Sequence, residues 1–364
     1  MVNKPSNDSL VALNDVLPSI KSDIKNILLT VLNKNDMSEC VAGRVREYYT
    51  DCLDNNLVGG KLARARTVCE SYKFCSSIEE SDVNYSQFQA ALVLGWAVEI
   101  LQAFFLIEDD VMDKGETRRG RPCWYRFPGV GIANAINDGL LLEQVLYELV
   151  ELNQYTKPYA LTAQRIIRDA SLRTVLGQHL DTHPPTSLSD FTRDQWLSVV
   201  RFKTAFYTFV LPCELGILIS GKTFSKSDLN FLRRICLDIG ELFQAQDDML
   251  DCFADPCVIG KIGRDIEEGK CTWLWYTAMD LLGEESKELR DELIRLFTSF
   301  DRPNNPETVS RIKDIYRKIG IEKEFENFCK NITENIFSNI SKIDAVELKN
   351  LANWLHKSTI NRKK

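Results

Sequence analysis

A run of apolar residues from Ala91 to Ile107, broken only by Glu99 and Gln102, limits what this chain can fold into more than any other feature. Leu92, Trp96, Val98, Ile100, Leu101, Phe104, Phe105 and Ile107 recur at helical spacing but cover too broad a face for a surface helix. The reading is a central helix packed on all sides. Its two polar interruptions argue against a membrane span. Alternating β-branched runs and strand–helix–strand repeats are absent, so the expected fold class is all-α. Turn residues fall at Gly59-Gly60, from Arg119 to Gly131, at Pro184-Pro185, from Ala254 to Gly263 and from Arg302 to Pro306. The segments between them have the lengths of helices in a large bundle. No Ser/Gly/Pro linker divides the chain, so residues 1–364 are read as one domain with a variable N-terminal segment over 1–35.

Composition removes several function classes. With 45 basic and 52 acidic side chains the net charge is −7, which lacks the basic field that nucleic-acid binding needs. The 11 cysteines are odd in number and form no CxxC pair, so neither a zinc site nor a disulfide framework is expected. His179, His183 and His356 are the only histidines, too few for a His-built metal centre or a Ser-His-Asp triad. The N-terminus shows no apolar or Arg-rich leader, and a cytoplasmic location is expected.

Two aspartate clusters carry the chemistry. Asp109-Asp110-Val111-Met112-Asp113 ends the apolar helix, and Asp247-Asp248-Met249-Leu250-Asp251 ends the segment IGELFQAQ. On a helix, Asp109 with Asp113 and Asp247 with Asp251 each share one face, Cβ atoms roughly 5–6 Å apart. Like charges one turn apart repel, and a helix C-terminus is already negative. A fold that does this twice is using the charge, and Mg²⁺, held by a few carboxylates, water and substrate phosphate, is the natural partner. Basic residues stand close by in sequence: Lys61 and Arg64 after Gly59-Gly60, Arg118 and Arg119, Lys203 beside Thr204, then Lys261 and Lys270. Carboxylates with metal on one side and Arg/Lys on the other describe a diphosphate site.

At these residues the sequence resembles the short-chain isoprenyl diphosphate synthases, in particular the farnesyl diphosphate synthases of animals. The likeness is carried by GGKLAR (Gly59 to Arg64), LGWAVEILQAFFLIEDDVMDKGETRRGRPCWY (Leu94 to Tyr125), GVGIANAINDGLLLE (Gly129 to Glu143), LGQHLD (Leu176 to Asp181), FKTAFYTFVLP (Phe202 to Pro212) and FQAQDDMLDCFADPCVIGKIGRDIEEGKCTW (Phe243 to Trp273). It is dense over residues 59–273. The resemblance implies an isoprenoid synthase fold, antiparallel helices around a cavity with the aspartate motifs across its mouth. It implies that three Mg²⁺ ions (or Mn²⁺) are held by Asp109, Asp113 and Asp247, with Asp110, Asp248 and Asp251 supporting. Arg118, Lys203 and Lys261 would neutralise the allylic diphosphate, with Gln178, Asp181, Gln244 and Lys270 around the same pocket. Lys61, Arg64, Gln102 and Arg119 would bind isopentenyl diphosphate. Thr204 would stabilise the developing cation, and Phe104 and Phe105 would floor the cavity and stop the product at fifteen carbons. A homodimer is expected, partly from the apolar surface at Gly131 to Leu149.

Both aspartate motifs are intact, whereas the isopentenyl diphosphate site is reworded. Ala63-Arg64-Ala65 stands where the family has Asn-Arg-Gly, Arg264 where it has Thr, Gly269 where it has Asn, and the tail reads HKSTINRKK. Some insect relatives with such changes are terpene synthases that keep ionisation and cyclise the allylic diphosphate. The expectation from sequence is prenyl transfer yielding farnesyl diphosphate, with cyclisation of farnesyl or geranylgeranyl diphosphate as the alternative.

Overall fold

The computed structural model describes residues 8–33, 37–76, 84–255, 263–300, 302 and 305–360. These are helical almost throughout, as the pattern predicts. In chain order the helices are α1 (Ser9–Asn33), α2 (Glu39–Asn56), α3 (Ala63–Ser76), α4 (Tyr85–Met112), α5 (Gly131–Leu152), α6 (Ala160–Thr182), α7 (Arg193–Val199) and α8 (Leu211–Ser220). There follow α9 (Lys226–Phe253), α10 (Asp265–Glu268), α11 (Trp273–Leu281), α12 (Lys287–Phe297), α13 (Pro306–Lys318), α14 (Ile321–Ser341) and α15 (Val346–Ile360). Between α7 and α8, residues Val200–Val210 form a π-helix. The structure adds one departure from all-helix: β1 (Thr117–Arg118) and β2 (Arg121–Pro122) make a minimal antiparallel hairpin.

The chain forms two compact units. The first comprises residues up to Ser171 together with Tyr207–Ser225 and Ala345–Leu351. Asn84 caps α4 by accepting from the backbone N–H of Ser86 and Gln87, at 3.0 and 3.3 Å. Every residue of α4 from Ala90 to Leu101 is buried, with α3, α5, α1 and α8 packed around it. Such side chains each contribute roughly 1.5–3 kcal/mol by leaving water. Glu99 survives in this setting because its Oε1 accepts from the Ala65 N–H at 3.1 Å. That donor belongs to the first turn of α3, which has no intrahelical acceptor, and the helix N-terminus favours the negative charge. Gly95 permits the crossing, since a Cβ there would lie 3.1 Å from the Ala65 carbonyl oxygen. The segment over 1–35 is not featureless: α1 packs on α4, and Trp96 donates to the Leu13 carbonyl at 2.9 Å.

Tyr85–Met112 and Arg193–Ser220 are both long and apolar enough to cross a membrane by length and composition. In the first, 83 % of the most apolar window is buried inside the protein, the behaviour of a core helix.

The second unit comprises Leu172–Phe206, Lys226–Asp344 and the end of the chain from Ala352. Its core is aromatic: Trp196, Trp273, Trp275, Phe297 and Tyr316 are buried together with Ile312 and Ile321. The long helix α9 packs against α14 and α11 and carries the second aspartate motif at its C-terminal end.

Candidate active site

In the first unit, α4 closes on its own motif. Met112 is its last helical residue, and the Asp113 N–H returns to the Asp109 carbonyl at 2.8 Å. Lys114 then takes a left-handed φ of 53°, which ends the helix. Asp109 and Asp113 therefore project half-buried from a helix C-terminus, where the backbone dipole opposes them. Asp110 turns inward and is 4 % exposed. Burial pushes its pKa up, opposed by the Arg118 guanidinium. Arg118 spans both carboxylates, with Nη2 at 2.5 Å from Asp110 and 3.3 Å from Asp109.

The hairpin explains why two consecutive arginines serve different places. Arg119 and Gly120 have φ of 54° and 72°, the left-handed pair that a type I′ turn requires between β1 and β2. Arg118 reaches the aspartates, while Arg119 reaches the opposite way, toward the carbonyls of Asn56 and Val58 at 3.3 and 3.2 Å. A Cβ on Gly60 would stand 2.9 Å from the Arg119 guanidinium, so any side chain there would push Arg119 from this position. Leu62 is buried with φ of 49°, a strained conformation that starts α3 just after exposed Lys61. Arg64, on the first turn of α3, donates to Gln102 at 2.6 Å and to Tyr207 and Thr208 at 2.8 Å. Its guanidinium also lies 4.4 Å over the Tyr207 ring, and its Nε is buried without a partner. Burial, together with the nearby Arg118 and Arg64, holds the Arg119 pKa below its ordinary value despite Glu99. Arg64, Gln102 and Arg119 are thus brought together as the sequence anticipates. Tyr207 and Thr208 are not among the residues the sequence singles out, although they lie in the block FKTAFYTFVLP. Asn55, Asn56, Arg118, Arg119 and Trp124 line a small cavity of about 50 Å³ beside this cluster.

Below the motif, the rings of Phe104 and Phe105 lie 5.0 Å apart, and Phe105 meets Tyr207 edge-on at 5.2 Å. Glu108 precedes the motif by one residue. Burial raises its pKa to about 7, and its Oε1 is buried without a hydrogen-bond partner.

In the second unit the two inner aspartates of the motif accept hydrogen bonds from protein groups. Asp248 is 3 % exposed and accepts from the Trp196 indole at 3.0 Å, the Trp273 backbone N–H at 2.8 Å and the Gln244 amide at 2.8 Å. Burial still pushes its pKa up against those three donors. Gln244 in turn accepts from the Thr204 hydroxyl at 3.2 Å, so Thr204, Gln244 and Asp248 form one chain. Asp251 is buried and accepts from the Asp265 N–H at 3.0 Å. A Cβ on Gly263 would sit 2.1 Å from the Asp251 carbonyl, which demands glycine there. Asp248 therefore supports the motif through the three buried donors it receives. Asp247, on the preceding position of α9, is half-buried.

The π-helix Val200–Val210 supplies Lys203 and Thr204, a widened turn of the kind common at functional sites. Lys203 meets Asp181 at 2.6 Å, and Lys270 meets Asp181 at 3.6 Å and Glu268 at 3.2 Å. Gln178 lies one turn before Asp181 on α6. Gly177 allows the approach, since its Cβ would fall 2.1 Å from the Lys203 nitrogen. Lys261 lies outside the described residues.

Among the described residues no group of three or more His, Cys, Asp or Glu side chains forms a closed metal cage. In chemical type the half-buried carboxylates Asp109 and Asp113 in the first unit and Asp247 in the second are hard oxygen donors, the class of ligand Mg²⁺ takes.

The polyprenyl synthetase family pattern matches residues 46–318. Farnesyl pyrophosphate synthase of Saccharomyces cerevisiae is 34 % identical over 321 residues, 87 % of this chain and 89 % of that protein. The enzyme of Rattus norvegicus is 35 % identical over 322 residues, 87 % and 88 % of the two chains. Among solved structures, T. brucei farnesyl diphosphate synthase complexed with a bisphosphonate superposes with a TM-score of 0.85 at 28 % identity, over 97 % of this chain and all of that one. The chain belongs to the polyprenyl synthetase family, whose members are generally Mg²⁺-dependent, and its fold is the all-α isoprenoid synthase fold.

Proposed function

We propose that this protein is a farnesyl diphosphate synthase, joining dimethylallyl or geranyl diphosphate to isopentenyl diphosphate in the 1′–4 sense of chain elongation. The observation that carries the reading is the Arg118-Arg119 turn, which gives one arginine to the aspartate motif and the other to a separate cluster with Arg64. Condensation needs two diphosphates held apart, and cyclisation needs one. The Ala63 and Ala65 replacements leave the Arg64 cage whole, so the cyclase alternative is not favoured.

Asp109, Asp113 and Asp247 would hold Mg²⁺, three ions in all with Mn²⁺ able to substitute, supplying Lewis-acid stabilisation of the departing diphosphate. Lys203, Lys270 and Arg118 would take up its charge as the carbon–oxygen bond breaks. Thr204, whose hydroxyl donates to Gln244, would present its oxygen to the allylic carbons. Arg64, Arg119 and Lys61 would hold isopentenyl diphosphate so that its double bond attacks, an orientation effect. The apolar walls at Phe104 and Phe105 would keep water from the cation and set a fifteen-carbon limit.

The exposed row Ile132, Ile136 and Leu140 on α5, at 55 %, 39 % and 50 % exposure, supports a homodimer, which sedimentation at micromolar concentration would test. A cytoplasmic location completes the reading. The deciding assay supplies Mg²⁺, geranyl diphosphate and isopentenyl diphosphate, with hexane extraction before and after phosphatase. Farnesol released only after phosphatase is expected. A hydrocarbon formed before phosphatase from farnesyl diphosphate alone, without isopentenyl incorporation, would refute the proposal.

A further inference from the structure

Glu108 sets a half-buried carboxyl beside the Phe104 ring. It lies on α4 one turn from Phe104, between that ring and the aspartate motif. Its Oε1 is shut off from solvent and has no hydrogen-bond partner. The space it enters is provided by Gly139 of α5: a Cβ there would be 2.4 Å from Glu108 Oε1 and 3.3 Å from Phe104 Cδ2. Glu108 and Phe104 therefore rest side by side on one glycine, and neither can shift toward α5 without losing the other's support. A buried carboxyl oxygen without a partner is destabilising on its own account. Its retention beside Phe104 calls for a use that depends on its bulk.

We infer that Glu108, seated against Gly139, is a positioning residue that props the Phe104 ring and so helps set product length. The inference rests on the prenyl-transfer reading and on Phe104 flooring the cavity. With the carboxyethyl group in place, the ring has no room to fold back along α4. Without it, the ring swings into the vacated space and the cavity deepens toward Gly139. Bulk is what matters in this account, so an apolar side chain of similar size should serve as well as the acid.

The experiment compares product chain lengths from geranyl and isopentenyl diphosphates for the full-length wild type, Glu108→Ala, Glu108→Leu and Gly139→Ala, each checked by circular dichroism. Glu108→Ala is expected to raise the C20:C15 ratio by about tenfold or more, the scale of one or two methylenes of pocket space. Glu108→Leu is expected to keep the fifteen-carbon product. Gly139→Ala drives the carboxyl toward Phe104 and is expected to raise the C10:C15 ratio when dimethylallyl diphosphate is the primer. An unchanged distribution in both alanine variants overturns the inference, as does lengthening in Glu108→Leu, which would make charge the cause. Should one alanine variant misfold, the other decides alone. A wild type that makes no farnesyl diphosphate would instead sink the functional reading, while Phe104→Ala giving no longer product would place the floor elsewhere.

Discussion

Asp248 offers the sharpest separation of scaffold from metal site. Its carboxylate receives three buried donors, from Trp196, Trp273 and Gln244, at 2.8 to 3.0 Å. Asp248→Ala orphans all three, each worth about 1–3 kcal/mol when stranded, and removal of one partner from a buried charged network is typically about 3–5 kcal/mol in all. Asp248→Asn is subtler. Its oxygen can still receive the Trp196 and Trp273 N–H groups, but its new NH₂ faces the Gln244 NH₂. Gln244 must turn over, and Thr204 changes from hydrogen-bond donor to acceptor. The expected result is a urea-unfolding free energy lowered by about 3–5 kcal/mol in Asp248→Ala and by under about 1.5 kcal/mol in Asp248→Asn. Turnover of Asp248→Asn should fall about tenfold through Thr204, with half-saturating Mg²⁺ unchanged. Asp248→Ala within about 1 kcal/mol of wild type would refute the scaffold role. So would a Mg²⁺ requirement in Asp248→Asn that rises as far as in Asp247→Asn.

Asp109→Ala and Asp247→Ala should each cut turnover at least about 10²-fold, and EDTA should abolish it; turnover surviving either treatment would remove these residues from the metal site. Arg64→Lys keeps the charge but loses the fork to Gln102, Tyr207 and Thr208, so KM for isopentenyl diphosphate should rise about 10- to 100-fold while solvolysis of geranyl diphosphate alone is unaffected. An unchanged KM would contradict that assignment. Asp238, buried beside Glu241, has its pKa raised to about 6, chiefly by burial. The folded protein then binds the extra proton more tightly than the unfolded chain, so this group removes stability as pH rises from about 4 to 6. Asp238→Asn should stabilise the protein by about 1–2 kcal/mol at pH 7 and not at all near pH 3.5; a gain independent of pH would mean that ionisation is not the cause.

The helical class, the central helix and the paired carboxylates were legible because each leaves a periodic mark: apolar residues at helical spacing, aspartates at i and i+4. The divergence of Arg118 from Arg119 was not, since it depends on two consecutive left-handed residues whose only sequence trace is Gly120. Nor does spacing distinguish Asp247 from Asp248. Their roles separate only when Trp196 and the N-terminus of α11 arrive from elsewhere in the chain to claim the second carboxylate. Tyr207 and Thr208 were hidden for the same reason, being far from Arg64 in sequence and placed by a π-helix that no simple apolar period announces. Gly139 and Glu108 look unremarkable singly, and their meaning lies in contact.

Under the proposed function, the two diphosphate subsites hold their charge differently, one with divalent ions and one with arginine alone. Around the first motif, the single cation Arg118 is matched by two carboxylates, Asp109 and Asp110, so the local charge is already negative before a substrate is considered. A diphosphate brought there would meet that negative charge, with Asp113 beside it on a helix end that repels anions, and divalent ions would reconcile the two. Around Arg64 and Arg119 the partners are neutral oxygens: an amide, a phenol, a hydroxyl and two backbone carbonyls. These fix the guanidiniums without cancelling them, and the one acid among them, Glu99, is committed to the Ala65 N–H. Net positive charge remains, aimed by hydrogen bonds and ready for an anion with no metal between. Chelation should therefore abolish ionisation of the allylic diphosphate while leaving isopentenyl diphosphate bound. Equilibrium dialysis of labelled isopentenyl diphosphate with EDTA present checks this, and loss of binding on chelation would show that the second subsite is not charged by arginine alone.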